Sequence, residues 1–219
     1  FGDLVTMRWW NDLWLNESFA EFMSTLAAAE NTQYTGAWTT FSSMEKNWAY
    51  RQDQLSSTHP IKARIRDLDD VLVNFDGITY AKGASVLRQL VAWVGQENFM
   101  AGVRAYIAQH AWGNTELPDL MSELEAASGR DLSEWTRVWL ETSGVNTLRT
   151  EVETDEAGTI TALRLRQSAP DGSPSAPGDD VLRPHRLAVG FYDVDEATGR
   201  LTRTERFELD VAGEVTEVA

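Results

Sequence analysis

FGDLVTMRWWNDLWLNESFAEF, residues 1–22, governs how the rest of the chain is read. Trp9, Trp10 and Trp14 fall close together, and Phe19, Phe22, Met23 and Leu26 follow at helical spacing. Such heavy use of the largest side chain predicts a buried wall beside something that must be kept dry or aligned. Asn16 is a favoured N-cap type. A helix is therefore predicted over residues 17–30, with positions 19, 22, 23, 26 and 27 inward and Asn31 as its stop. That places the Glu17 carboxylate in the first helical turn. Spacing alone leaves two roles open for it: a complement to the helix dipole, or a functional group at the end of the tryptophan wall.

Residues 1–22 resemble the segment that follows the zinc-binding helix in the M1 family of metallo-aminopeptidases, the aminopeptidase N type. In that family H-E-x-x-H is followed, after eighteen residues, by a Glu that is the third zinc ligand. The family commonly reads Q-W before F-G-D-L-V-T. Those two residues and residues 1–16 make the eighteen, so the resemblance implies that Glu17 is a zinc ligand. No H-E-x-x-H occurs anywhere in the 219 residues. The implied reading is an internal fragment of a zinc aminopeptidase, beginning just after that motif. The parent would remove N-terminal residues from peptides with Zn2+, and this piece by itself is expected to be inactive and without the metal.

Two further matches follow in order. FDGITYAKGASVLRQL, residues 75–90, is similar to the family's F-D, then Y-x-K-G-A and an apolar helix. The resemblance implies that Tyr80 is catalytic, donating a hydrogen bond to the oxyanion of the tetrahedral intermediate. The competing reading is a half-buried phenol that meets a backbone carbonyl. Lys82 and Gly83 are expected to shape the helix start. Ser57-Thr58-His59-Pro60-Ile61 is similar to a family S-x-H-P followed by Ile or Val. The family does not use that His as a ligand, and Pro60 favours extended backbone before it, so His59 is read as structural. The family's GxMEN motif, which binds the substrate's α-amine, is absent from these residues.

The composition is that of a folded protein: 42% hydrophobic and 10% aromatic. No apolar run is long enough to span a membrane. The net charge of −15 is spread along the chain and no basic patch stands out, which argues against nucleic acid and anionic membrane as partners. Peptide substrates remain the expected partners. Zero cysteines exclude disulfides and thiolate metal sites and suit a cytoplasmic protein.

Helical periodicity continues through residue 142. Trp38, Phe41, Met44 and Trp48 predict one helix over 34–50 with those four inward. Residues 51–79, with Pro60 and Gly77, read as irregular. Helices are predicted over 83–94 and 97–110. Another begins near Thr115 or Asp119 and ends at Gly129, and a last one runs over 133–142 with Ser133 as N-cap. After Gly144 the period changes to two. Residues 145–153 and 159–167 form a predicted hairpin, residues 186–194 and 201–209 are again strand-like around residues 196–199, and a loop is predicted over 169–180. The fold class is thus α+β and multidomain. The resemblance implies a helical C-terminal part of a thermolysin-like catalytic domain over 1–144 and a small β-sandwich domain over 145–219.

A hydrolytic zinc needs three protein ligands and one open position for water. Glu17 supplies one of them. His59, His110 and His185 are scattered and form no i, i+4 pair. Glu21, one turn after Glu17, reads either as a residue steadying the ligand or as a solvated helix charge, and Asp12 and Asn16 stay equally open. Two other functions compete with the aminopeptidase: an epoxide-hydrolase-type relative on the same scaffold, and a noncatalytic M1-like binding module.

Overall fold

Trp14, Leu15, Ser18, Phe19 and Phe22 are buried along one stripe of the first helix, α1 (Trp14–Asn31), and the helical part of the molecule packs on that stripe. The structure is a computed structural model that describes residues 1–169 and 181–218. It divides into two compact units, one over Phe1–Val145, the other over Asn146–Ala169 with Leu182–Ala219.

In the first unit, β1 (Val5–Met7) leads to a 3-10 turn (Trp10–Asp12) that runs straight into α1. Then come α2 (Ala37–Ser43), α3 (Glu45–Gln52), α4 (Leu68–Val73) and a π-helical turn (Ile78–Lys82). That turn feeds α5 (Gly83–Val94), and α6 (Gln96–His110) follows. β2 (Gly113–Thr115), α7 (Leu117–Ser128) and α8 (Ser133–Leu140) complete the unit, with β2 pairing in parallel with β1. The core is aromatic around Phe19, which stacks on Phe1 with ring centroids 4.3 Å apart and on Phe99 at 6.2 Å. Phe22 meets Phe99 edge-on at 5.7 Å. Each fully buried aromatic of this kind contributes on the order of 2–3 kcal/mol.

Several local expectations are corrected. Asn16 does not cap α1. Leu13 is already in the right-handed helical region, so the helix begins at Trp14, and the Asn16 amide instead donates to the Met7 sulfur. The single helix over 34–50 is two helices that break at Met44, whose φ of −111° and ψ of −71° leave the helical path. The break turns the second half outward: Phe41 is buried, whereas Met44 is 62% exposed and Trp48 39%. Trp38 lies against the rings of Phe22 and Phe41, with the Arg88 guanidinium stacked over it. The irregular stretch contains α4, capped by the Asp67 carboxylate, which accepts from the Asp69 and Asp70 amides. Its Leu68, Leu72 and Val73 are exposed, so no inward stripe marks it in the sequence. Ser133 is the first residue of α8 and not its cap, because the Asp131 carboxylate takes both the Ser133 amide and its hydroxyl. Gly129 closes α7 in the left-handed region at φ +69°.

The second unit is all β. β3 (Thr147–Thr154) and β4 (Ile160–Ser168) form the hairpin that alternation predicts, joined by a turn in which the Asp155 carboxylate accepts from the Ala157 and Thr159 amides. β5 (His185–Asp195) and β6 (Arg200–Val211) form a second antiparallel pair. β7 (Val215–Glu217), which the sequence does not announce, adds to the free side of β4 to give the order β3-β4-β7. Apart from Ala169, the predicted loop over 169–180 lies outside the described residues. Among the described residues no helix is long and apolar enough to cross a membrane.

Candidate active site

Glu17 stands in the first turn of α1 and Tyr80 in the middle of the π-helical turn. What brings them together is the residue after the one and the residue before the other. Ser18 Oγ donates to the Thr79 carbonyl at 2.6 Å, inside the core. The two backbones approach this closely because Gly83 has no side chain: a Cβ there would lie 1.8 Å from Ser18 Oγ. The π geometry, with the Lys82 amide bonding the Gly77 carbonyl at 2.8 Å, is a feature often found where function requires it.

The outcome is that the Glu17 carboxylate comes near enough to act on the Tyr80 phenol. Burial first, then hydrogen bonding with Glu17 and the carboxylate's charge, push the phenol up to about 12. Tyr80 therefore keeps its proton at any ordinary pH.

The start of the π turn is tied down by Asp76. Asp76 Oδ1 accepts from the Ile78 amide at 2.9 Å and the Thr79 amide at 3.0 Å. Asp76 Oδ2 is held by the Gln52 amide nitrogen and by His59 Nε2, the latter at 2.9 Å. His59 thus sits at the base of the turn, and nothing places it beside Glu17. Burial works against its charge, but the hydrogen bond and charge of Asp76 win, and the imidazole titrates above its usual range. At the far end of the turn Lys82 is buried. It pairs with the buried Asp53 at 2.8 Å and donates to the Gly144 carbonyl at 3.3 Å. Asp53 also accepts from the Gly144 amide and the Thr58 hydroxyl.

The remaining candidates lie apart from Glu17 and Tyr80 or have other partners. Asp12 is 1% exposed and accepts from the Leu117 amide at 3.2 Å and the Trp14 indole at 3.4 Å, so it joins the start of α7 to α1. Burial raises its pKa. Burial also raises that of Glu21, helped by the charge of Glu45. His110 packs against the Tyr106 ring, and His185 Nε2 meets Gln167 Oε1 at 2.9 Å. The tryptophans do not form one wall. Trp14 is enclosed in the core, while Trp9 is 50% exposed with its indole donating to the Ile65 carbonyl. Among the described residues no three His, Asp or Glu side chains gather to hold a metal ion. Among those residues Glu17 stands as a lone carboxylate, which by itself does not make a zinc site.

Ser18 and Asp76 are the residues that sequence reasoning passes over. Asp76 carries a signal, since an Asp two to three residues before helical amides is a capping pattern. Ser18 carries none, because its partner is far along the chain.

A fold of helices and small sheets agrees with the comparisons. A profile described as "Peptidase family M1 domain" matches residues 1–139. The chain belongs to the M1 peptidase family. Peptidases of this family are in general zinc-dependent. The chain is 61% identical over its whole length to Aminopeptidase N of Streptomyces lividans, of which it covers 26%. It is 42% identical over 68% of its length to Tricorn protease-interacting factor F2 of Thermoplasma volcanium, covering 19% of that protein. It is 33% identical over its whole length to Aminopeptidase 2 of Candida albicans, covering 23%. The chain thus spans about a quarter or less of the length of these curated relatives.

Proposed function

We propose that the chain is the part of a zinc aminopeptidase that supplies one metal ligand and the oxyanion donor. The observation that carries this is the bond between Ser18 and the Thr79 carbonyl, which holds the neighbouring Glu17 and Tyr80 close enough for the carboxylate to act on the phenol. A carboxylate and a neutral donor brought near one another are what a metal-bound peptide carbonyl would need. Glu17 would be one of the zinc ligands, with the others supplied from outside these 219 residues. The metal, when bound, makes its water nucleophilic near neutral pH. Tyr80 holds its proton and donates to the oxygen on which negative charge develops, at a position set by the π turn. The substrates would be peptides with a free N-terminus, in keeping with the names of the relatives.

In this reading, residues 1–144 are the helical part of a thermolysin-like catalytic domain and residues 145–219 a β-sandwich domain. The split of the chain at Val145 supports that division. A chain with no cysteine fits work in the cytoplasm.

The test is metal content measured beside kcat in the full-length protein that carries this chain. Glu17→Gln should lose zinc. Tyr80→Phe should keep zinc and lose roughly a hundredfold to a thousandfold in kcat. Full zinc occupancy in Glu17→Gln, or an unchanged kcat in Tyr80→Phe, sinks the corresponding assignment.

A further inference from the structure

We propose that His59 is a positioning residue for Tyr80, acting through Asp76. The inference rests on the reading of Tyr80 as the oxyanion donor and adds what holds that donor in place.

Asp76 is the hinge of the case. One oxygen caps the π turn through the Ile78 and Thr79 amides, the second of which directly precedes Tyr80. The Tyr80 amide itself bonds the Asp76 carbonyl at 3.0 Å. The orientation of this one carboxylate therefore sets the first turn, and with it the direction of the phenol. Its other oxygen is gripped from two sides. Gln52, the last residue of α3, donates its amide nitrogen to Asp76 and accepts from the Gly77 amide at 2.8 Å. His59 closes the other side at 2.9 Å.

The ring of His59 stands between two acceptors. Nδ1 meets the Pro60 carbonyl at 2.7 Å and Nε2 meets Asp76. A neutral imidazole has one donor and would leave one acceptor facing a lone pair. The protonated ring satisfies both, so the cation is the form that this geometry selects. A charge-assisted bond to a half-buried carboxylate is about twice as strong as a neutral one. It is also directional, because the Pro60 carbonyl fixes the rotation of the ring. His59 touches neither Glu17 nor the phenol. Its influence on the site runs through the capping carboxylate.

Removing His59 frees one side of Asp76 and lets the turn rotate. Misplacing a catalytic group by about 1 Å costs up to roughly a hundredfold in rate. The donor is needed only as charge develops on the carbonyl oxygen, so the loss belongs in kcat.

The experiment is a double-mutant cycle in the full-length protein, with kcat, KM and zinc content measured for His59→Ala, Tyr80→Phe and the pair. His59→Ala is expected to lower kcat on the order of tenfold, with KM and zinc unchanged. The double variant should be no slower than Tyr80→Phe alone, because a misplaced donor cannot be lost twice. His59→Gln, whose amide can still donate to Asp76, should recover part of the rate. His59→Leu, which cannot donate to Asp76, replaces His59→Ala in the cycle if the alanine variant does not fold. Additive losses, or full kcat in the folded His59 variant, overturn the inference while leaving Tyr80 as donor. Full kcat in Tyr80→Phe overturns the reading of Tyr80 itself and the inference with it.

Discussion

Ser18 Oγ lies 2.6 Å from the Thr79 carbonyl oxygen, and this one buried hydrogen bond joins the first turn of α1 to the π turn sixty-one residues later. The proposed chemistry sits on the neighbours of the bonded pair. Glu17 precedes Ser18 and Tyr80 follows Thr79, so fixing the inner pair fixes the outer one. The relationship is sensitive to volume as well as to polarity, because Gly83 occupies the remaining space.

Adding a methyl group at that point should therefore be costly. In Gly83→Ala the new Cβ would stand 1.8 Å from Ser18 Oγ and 2.8 Å from Ser18 Cβ. Helix and turn must move apart, at about 1–3 kcal/mol of overpacking. Ser18→Ala leaves the buried Thr79 carbonyl without its donor, which also costs roughly 1–3 kcal/mol. Denaturant unfolding of both variants checks this. A Gly83→Ala protein as stable as the wild type would show that the approach has slack.

How much of this can be read in the chain follows from the range of the interactions. α5, α6 and α7 announce themselves, because their inward positions recur at helical spacing and Gly129 closes the last of them. The hairpin of β3 and β4 is equally legible from alternation around Asp155-Glu156-Ala157-Gly158. Glu17 and Tyr80 are found through family motifs, since neither residue type says alone what it does. The break at Met44, the start of α1 ahead of Asn16 and the pairing of β1 with β2 are not legible. Each is decided by contacts with distant segments, which outweigh weak local preferences. The grip of Ser18 on Thr79 belongs to the same class.

Lys82 should prove a stability residue. It is buried with Asp53, and the ion pair is framed by the Gly144 amide and carbonyl. Lys82→Met removes one charge and strands the other, which costs about 3–5 kcal/mol in a buried pair. The expected result is a protein with a lower unfolding midpoint whose zinc content, measured in the full-length protein, is unchanged while folded. A loss of stability under about 1 kcal/mol would mean that the pair is solvated like a surface bridge.

His59 also makes a pH prediction. Its pKa is raised in the folded state, so the folded protein binds that proton more tightly than the unfolded chain does. The stability that it contributes is fully present below the ordinary His value of about 6.5 and is lost as pH rises through the raised folded value. Unfolding free energies across that window should fall more steeply for the wild type than for His59→Gln. Parallel curves would mean that His59 titrates alike in both states.

A preparation of these 219 residues alone is expected to show no turnover of an aminoacyl arylamide. H-E-x-x-H is missing and the described residues offer Glu17 as a lone carboxylate. The assay needs protein free of host peptidases, with and without a chelator. Activity that copurifies with the chain and disappears on chelation would refute the expectation.

The last prediction concerns residues 1–16. The clustered tryptophans suggest a wall awaiting cover from elsewhere, which would leave this segment loose. The structure gives it partners of its own. β1 pairs with β2 in parallel, the Trp112 amide bonds the Leu4 carbonyl at 2.6 Å, and the Arg8 amide bonds the Thr115 carbonyl at 2.7 Å. Val5 and Trp14 are buried, and Asp12 accepts from the Leu117 amide. Opening the segment would expose those apolar side chains and strand a buried carboxylate. Hydrogen exchange at the Arg8, Trp112 and Leu117 amides should therefore be slow, and should slow together, because all three depend on the same docking. The amides of Gln33 and Thr35, on an exposed stretch, set the fast reference. If the Arg8 amide exchanges as fast as that stretch, β1 is not held by β2, and the exposed Trp9 marks a segment that depends on cover from outside the chain.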